Sequence, residues 1–136
     1  MPLHIEQVRP ELTWRLRREA LYPNLPLYEM ELEEDTNGWH FAAFNNDALV
    51  GVVSLFQHCC NFQFRKLAVA VNYQHQGVGS ALLQYITNFA INENGARLWC
   101  NACKNAVPFY TKANFTASGE TFSKNGIDYL IMEKPL

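Results

Sequence analysis

"LAVAVNYQHQGVGSALL", Leu67 to Leu83, decides how this chain of 136 residues is read. An apolar, strand-like run breaks into a polar Gln-His-Gln step, and Gly-Val-Gly then opens a helix-like run. Bare backbone at a strand-to-helix handover is suited to an anion, often a phosphate, held by backbone N–H groups. A Walker A loop needs G-x-x-x-x-G-K-[ST], which is absent. A dinucleotide loop needs G-x-G-x-x-G and a carboxylate about 20 residues on. Leu82 stands in the place of the third glycine, and Leu98 to Asn101 offer no carboxylate.

Around this step the chain reads as one mixed α/β domain over residues 1–136, built on a single sheet. "LHIEQV" (3–8) alternates as a strand, and "PELTWRLRREALY" (10–22) has helical apolar spacing at Leu12, Leu16, Ala20 and Leu21. "PNLPLYEMELEEDTNG" (23–38) reads as loop with a short helix. "WHFAAF" (39–44) and "ALVGVVSLFQH" (48–58) form a hairpin around "NND", and "NFQFRKLAVAV" (61–71) is a further strand. The helix from Val78 stops at Asn94-Gly95. A strand "ARLWCNA", a short helix "AVPFYTKA" capped by Asn105, and a closing hairpin around "SKNG" complete the order.

Composition narrows the function classes. Nearly half of the residues are hydrophobic, so a folded core is expected. With 11 Lys and Arg against 13 Asp and Glu, the chain lacks the basic stripe of a nucleic-acid binder. No segment approaches the roughly 20 apolar residues that cross a bilayer, and "MPLHIEQVRP" lacks a secretory pattern, so a cytoplasmic protein is expected. Of the four cysteines, Cys100 and Cys103 form one C-x-x-C, while Cys59 and Cys60 are adjacent. A zinc or redox protein is the rival reading. One knuckle without a second favours reduced cysteines and no metal.

Two motifs carry a family resemblance. Gln74-His75-Gln76-Gly77-Val78-Gly79 resembles the [RQ]-x-x-G-x-G/A pyrophosphate loop of the GNAT N-acetyltransferases, and "KLAVAVNYQ" before it is similar to their fourth strand. Downstream, "AVPFYTKANF" resembles their A-x-x-F-Y-x-x-x-G-F helix, with Tyr110 in the tyrosine place. "TWRLRREALYP" also resembles the first helix of many members. Asn114 replaces the usual glycine, a benign change because Asn also tolerates a left-handed helix end.

This resemblance implies the GNAT fold, a mixed and mostly antiparallel central sheet of six to seven strands flanked by helices. It implies transfer of an acetyl group from acetyl-CoA to a primary amine of a small molecule or peptide, by direct attack in a ternary complex. A homodimer is compatible with it. Leu67, Ala68, Val69, Ala70 and Val71 would pair with the pantetheine arm, with an N–H near Val69 to Val71 facing the oxyanion. Gln74, His75, Gln76, Gly77, Val78, Gly79 and Ser80 would hold the pyrophosphate, and Asn101 would meet the cofactor arm, although it also reads as a plain strand-end turn residue. Tyr110 would protonate the leaving thiolate, although an aromatic there also serves packing between helix and sheet.

The catalytic base is where the sequence departs from the family. Gln63 stands where some members have glutamate, and an amide accepts no proton at neutral pH. His58, His75, His40 and the acidic group Glu29, Glu31, Glu33, Glu34 and Asp35 are the remaining candidates. That acidic group also reads as a solvated face, or as a negative lip drawing in a cationic amine. The missing glutamate mildly favours a second reading, a non-catalytic domain of the same fold that senses acyl-CoA.

Overall fold

In the computed structural model, which describes residues 2–136, the alternating segments become strands β1 (His4–Val8), β2 (Trp39–Asn45), β3 (Ala48–His58) and β4 (Asn61–Val69). Strands β5 (Arg97–Cys103), β6 (Thr116–Lys124) and β7 (Ile127–Pro135) follow. Helices α1 (Glu11–Leu21), α2 (Val78–Asn92) and α3 (Val107–Lys112) are interspersed. All seven strands form one sheet in the order β1-β2-β3-β4-β5-β7-β6. Every pairing is antiparallel except β4 with β5. The sheet thus has seven strands and the mixed, mostly antiparallel character expected.

Each face of the sheet is covered differently. On one face α2 and α3 bury Phe41, Leu55, Phe62, Phe64, Leu98 and Met132 in the larger core. On the other, Leu16 of α1 covers Ala42, Val52 and Ala68. The inward stripe of α2 is Val78, Leu82, Leu83, Ile86 and Ala90, the spacing of one helical face. Its first turn can approach β3 because Gly51 lacks a side chain. A Cβ there would lie 2.7 Å from Val78 Cγ1 and 2.8 Å from Leu82 Cδ1.

Local boundaries differ from the sequence reading in three places. The acidic stretch holds two 3-10 turns, Leu27–Met30 and Asp35–Asn37, rather than one short helix. Asn105 does not cap α3. It lies inside a 3-10 turn, Lys104–Ala106, that runs directly into the helix, and no side chain caps the junction. Strand β4 ends at Val69, and Val71 begins a 3-10 turn ending at Tyr73.

One irregularity shapes β4. Its register with β3 slips between the pairs Val52–Ala68 and Ser54–Arg65, and Lys66 sits at φ +57°. Phe62 and Phe64 belong to the α2-face core, and so do Leu67 and Val69, whereas Ala68 faces α1. Alternation is therefore interrupted once, by a β-bulge that sets Arg65 and Lys66 on the same face.

Candidate active site

The two parallel strands stay together only briefly. β4 and β5 are in register at Asn61–Arg97, Phe62–Leu98 and Gln63–Trp99. Beyond that point β4 continues to Val69 against β3, and β5 continues to Cys103 against β7, so a wedge opens between them. The Ala70 N–H donates to the Val50 carbonyl at 2.9 Å. Hydrogen-bonding direction alternates along an antiparallel strand, so the N–H and C=O of Val69 face away from β3, into the wedge. Gln74 Nε2 donates to the Val69 carbonyl at 3.1 Å. The Val69 N–H is left facing the gap, whereas that of Ala70 is committed.

At the open end of the wedge the chain reverses through two left-handed residues, His75 at φ +62° and Gly77 at φ +89°. A Cβ on Gly77 would meet nothing within 4 Å, so the backbone angle rather than crowding calls for glycine. No side chain caps α2. The Ala81 N–H donates to the Gly77 carbonyl at 3.0 Å as the first bond of the helix. The N–H groups of Val78, Gly79 and Ser80 precede it and are left for an external acceptor. With the positive end of the helix dipole behind them, they make an anion cradle. A Cβ on Gly79 would lie 3.4 Å from Phe109 Cζ and 3.8 Å from Val69 Cγ2, so the loop, β4 and α3 converge there. Beyond Ser80, an open groove of about 270 Å³ between α2 and α3 carries Lys112 and Lys134.

Tyr110 of α3 lies over the point where the strands part. Its ring centroid is 5.7 Å from Phe64, 5.1 Å from Phe109 and 5.9 Å from Phe115. Burial pushes its pKa well up, with the nearby Cys100 and Cys103 adding to the effect, so the phenol is neutral at physiological pH. Burial likewise raises the Cys100 thiol to about 12, which makes it inert. Cys103, three residues along the strand, faces the opposite side. All four cysteines are free thiols, with Cys59 and Cys60 exposed at the β3–β4 turn.

A buried polar network anchors the other face. Arg17, on the inward stripe of α1, forks onto Asp35 with Nη1 2.9 Å from Oδ2 and Nη2 3.0 Å from Oδ1. It also donates to the Met30 carbonyl and to Ser54 Oγ, each at 2.8 Å. His40 Nε2 meets the Asp35 carbonyl at 2.7 Å, so that nitrogen carries the proton. Nδ1 then accepts from the Ser54 hydroxyl at 2.7 Å. Burial of Asp35 opposes its ionisation, but bonds from Arg17, the Leu32 N–H and Trp14 outweigh this and hold its pKa below the usual range. Burial lowers the His40 pKa despite the Asp35 carbonyl. The network ties the 3-10 turns after α1 to β2 and β3.

These positions sort the residues singled out by sequence. Val69, the Gln74–Ser80 loop and Tyr110 surround one gap, with Leu67 and Ala68 on the strand leading to it. Ala70 and Val71 lie past the strand end. Asn101 is exposed on β5, on the α1 face and so opposite Tyr110 across the sheet. His58 sits beside Asn61 at the closed end of the wedge. His75 is in the loop. His40 and Asp35 are consumed by the buried network, and Glu34 is ion-paired with Arg65. Sequence reading missed the bulge at Lys66 and the role of Arg17. The bulge left one faint trace, the three-residue step from Phe64 to Leu67 after the two-residue step from Phe62, before a continuous apolar run that hides the phase.

Residues 18–136 match the family model of the acetyltransferase (GNAT) domain. The chain belongs to that family. This GNAT domain is 24% identical over 144 residues to an uncharacterized N-acetyltransferase of Bacillus subtilis (strain 168), YitI, covering 98% of this chain and 97% of the relative. Its fold superposes on a Lactobacillus plantarum protein classed as an N-acetyltransferase, with TM-score 0.89 and 15% identity over 100% of this chain and 99% of that one. It also superposes on a GNAT family acetyltransferase from Elizabethkingia anophelis with acetyl-CoA bound, at TM-score 0.79 and 20% identity over 98% of each chain.

Proposed function

We propose that this GNAT domain, taken as a single unit over residues 1–136, transfers an acetyl group from acetyl-CoA to a primary amine. The observation that carries the reading is the parting of β4 and β5 beyond Gln63–Trp99, with the uncapped start of α2 at its open end. A parted parallel pair leaves the inner backbone of β4 free to bond an extended chain. The anion cradle lies where that chain would carry a pyrophosphate. The pantetheine arm would run along Leu67–Val69, and the nucleotide would lie toward the groove holding Lys112.

The amine nitrogen attacks the thioester carbonyl, and electrons move onto the carbonyl oxygen. The Val69 N–H would stabilise that charge, a contribution of roughly 3–4 kcal/mol for one such donor. As the intermediate collapses, the C–S bond breaks and its electron pair leaves on sulfur. Tyr110, held neutral by burial, donates its hydroxyl hydrogen to that sulfur. A buried phenol is a weaker acid than a thiol, whose pKa is about 8.5, so hydrogen bonding carries more of this help than full proton transfer. Gln63 cannot serve as base, and the amine loses its proton through water.

The test is thiol release from acetyl-CoA with a panel of amines. Turnover with at least one amine supports transfer. Tight acetyl-CoA binding with no turnover across all amine classes favours the acyl-CoA-sensing alternative.

A further inference from the structure

The bulge in β4 gathers charge on the α1 face of the wedge. Arg65 and Lys66 share that face, just beyond Gln63, where the strands begin to part. Arg65 is neutralised by Glu34 of the segment after α1. Arg17, below them, is neutralised by Asp35. Lys66 has no carboxylate within 4.0 Å among the described residues; its ammonium donates to the Tyr22 hydroxyl and lies 4.6 Å from that ring's centroid. An ammonium has three N–H donors, so two are left over. Across the wedge, Tyr129 of β7 is the strand partner of Cys103; partial burial raises its pKa, with Tyr22 and Cys103 adding to the effect. Two of the five carboxylates in the acidic segment are thus tied to arginines, and Lys66 stands on this face without a carboxylate partner of its own.

We propose that Lys66 binds the carboxylate of the acceptor, so that the substrate is a small amino carboxylate rather than a polyamine or other polycation. This rests on the acetyl-transfer reading above. Lys66 lies three residues from Val69, about 10 Å of strand, which a short amino acid and the lysine stem together span. A single ammonium with two free donors matches a singly charged carboxylate, whereas a phosphate dianion calls for more donors. The phenol ring of Tyr22, under the Lys66 ammonium, forms one wall of the site. The same positive charge disfavours protonation of the incoming amine, which offsets the absence of a carboxylate base at Gln63.

The experiment compares kcat/KM for L-amino acids and for their matching carboxamides by thiol release, in wild type and Lys66→Met, with the acetyl-CoA-induced rise in Tm measured on both. Amides ionise at lower pH, so chemistry alone favours them. Wild type is expected to prefer the carboxylates by about tenfold or more, the scale of one charge-assisted bond. In Lys66→Met that ratio should fall to near one while acetyl-CoA still raises the Tm. A wild-type ratio at or below one, no turnover of any amino acid, or a ratio that persists in Lys66→Met overturns the proposal while the acetyl-CoA shift leaves the parent reading standing. Absence of that shift in wild type overturns both.

Discussion

Tyr110 packs its ring 5.7 Å from that of Phe64, the first residue of β4 beyond the last β4–β5 pair. Placed there, an aromatic residue holds α3 over the point where the two strands part, and in the proposed reaction its neutral hydroxyl would serve the leaving sulfur. Packing and chemistry are thus separable in one substitution. Tyr110→Phe keeps the ring and should leave stability and acetyl-CoA affinity nearly unchanged. The turnover rate should fall by about 10²-fold, the lower end of general-acid effects, because the buried phenol gives up its proton reluctantly. Steady-state thiol release with separate cofactor binding checks this, and a rate within a few-fold of wild type rejects the role.

Arg17 and Asp35 form a bidentate pair in which both side chains are 1% exposed. Removing one partner strands the other charge away from water. Arg17→Met should destabilise the fold by about 3–5 kcal/mol. The double variant Arg17→Met, Asp35→Asn should recover part of that loss, because the stranded carboxylate is gone. Urea unfolding of the two variants measures it; equal losses would show that the charge is not the cause.

His40 makes stability depend on pH. The unfolded chain takes up this proton near pH 6.5, the folded chain only at lower pH, so its contribution is complete above about 6.5. It is lost as pH falls toward the folded value, with a slope of at most about 1.4 kcal/mol per pH unit for one proton. Unfolding midpoints at pH 7.5, 6.5 and 5.5 should decline in wild type. The decline should be shallower in His40→Gln, which retains an N–H toward the Asp35 carbonyl. Identical pH slopes in the two proteins would remove His40 from this account.

Much of this was written in short-range patterns. The hairpin of β2 and β3 follows from period-2 alternation, and Gly77 from a turn only glycine adopts easily. The Arg17 network was hidden because its partners are 18 and 37 residues away, and Asp35 looked like one more acid in an exposed run. One local signal existed: Thr13, Leu16, Arg17 and Ala20 share a helical face, so Arg17 stood on the inward side. The Lys66 bulge was harder to expect, since a lysine at positive φ carries no glycine or asparagine mark. The end of β4 at Val69 comes from the 3-10 turn that follows, closed by the Tyr73 N–H on the Ala70 carbonyl, and the apolar run through Val71 gives no sign of it.

The central claim is that the start of α2 holds the pyrophosphate of acetyl-CoA, and Gly79→Glu tests it most directly. An acidic residue in the first helical turn favours the helix, so the variant should fold. Its side chain would run from a Cβ beside Phe109 and Val69, placing bulk and negative charge at the cradle. Calorimetric titration should show acetyl-CoA binding in wild type and a loss of at least about tenfold in the variant, the scale of one unfavourable charge contact. A folded Gly79→Glu protein that binds acetyl-CoA as tightly as wild type would contradict the account.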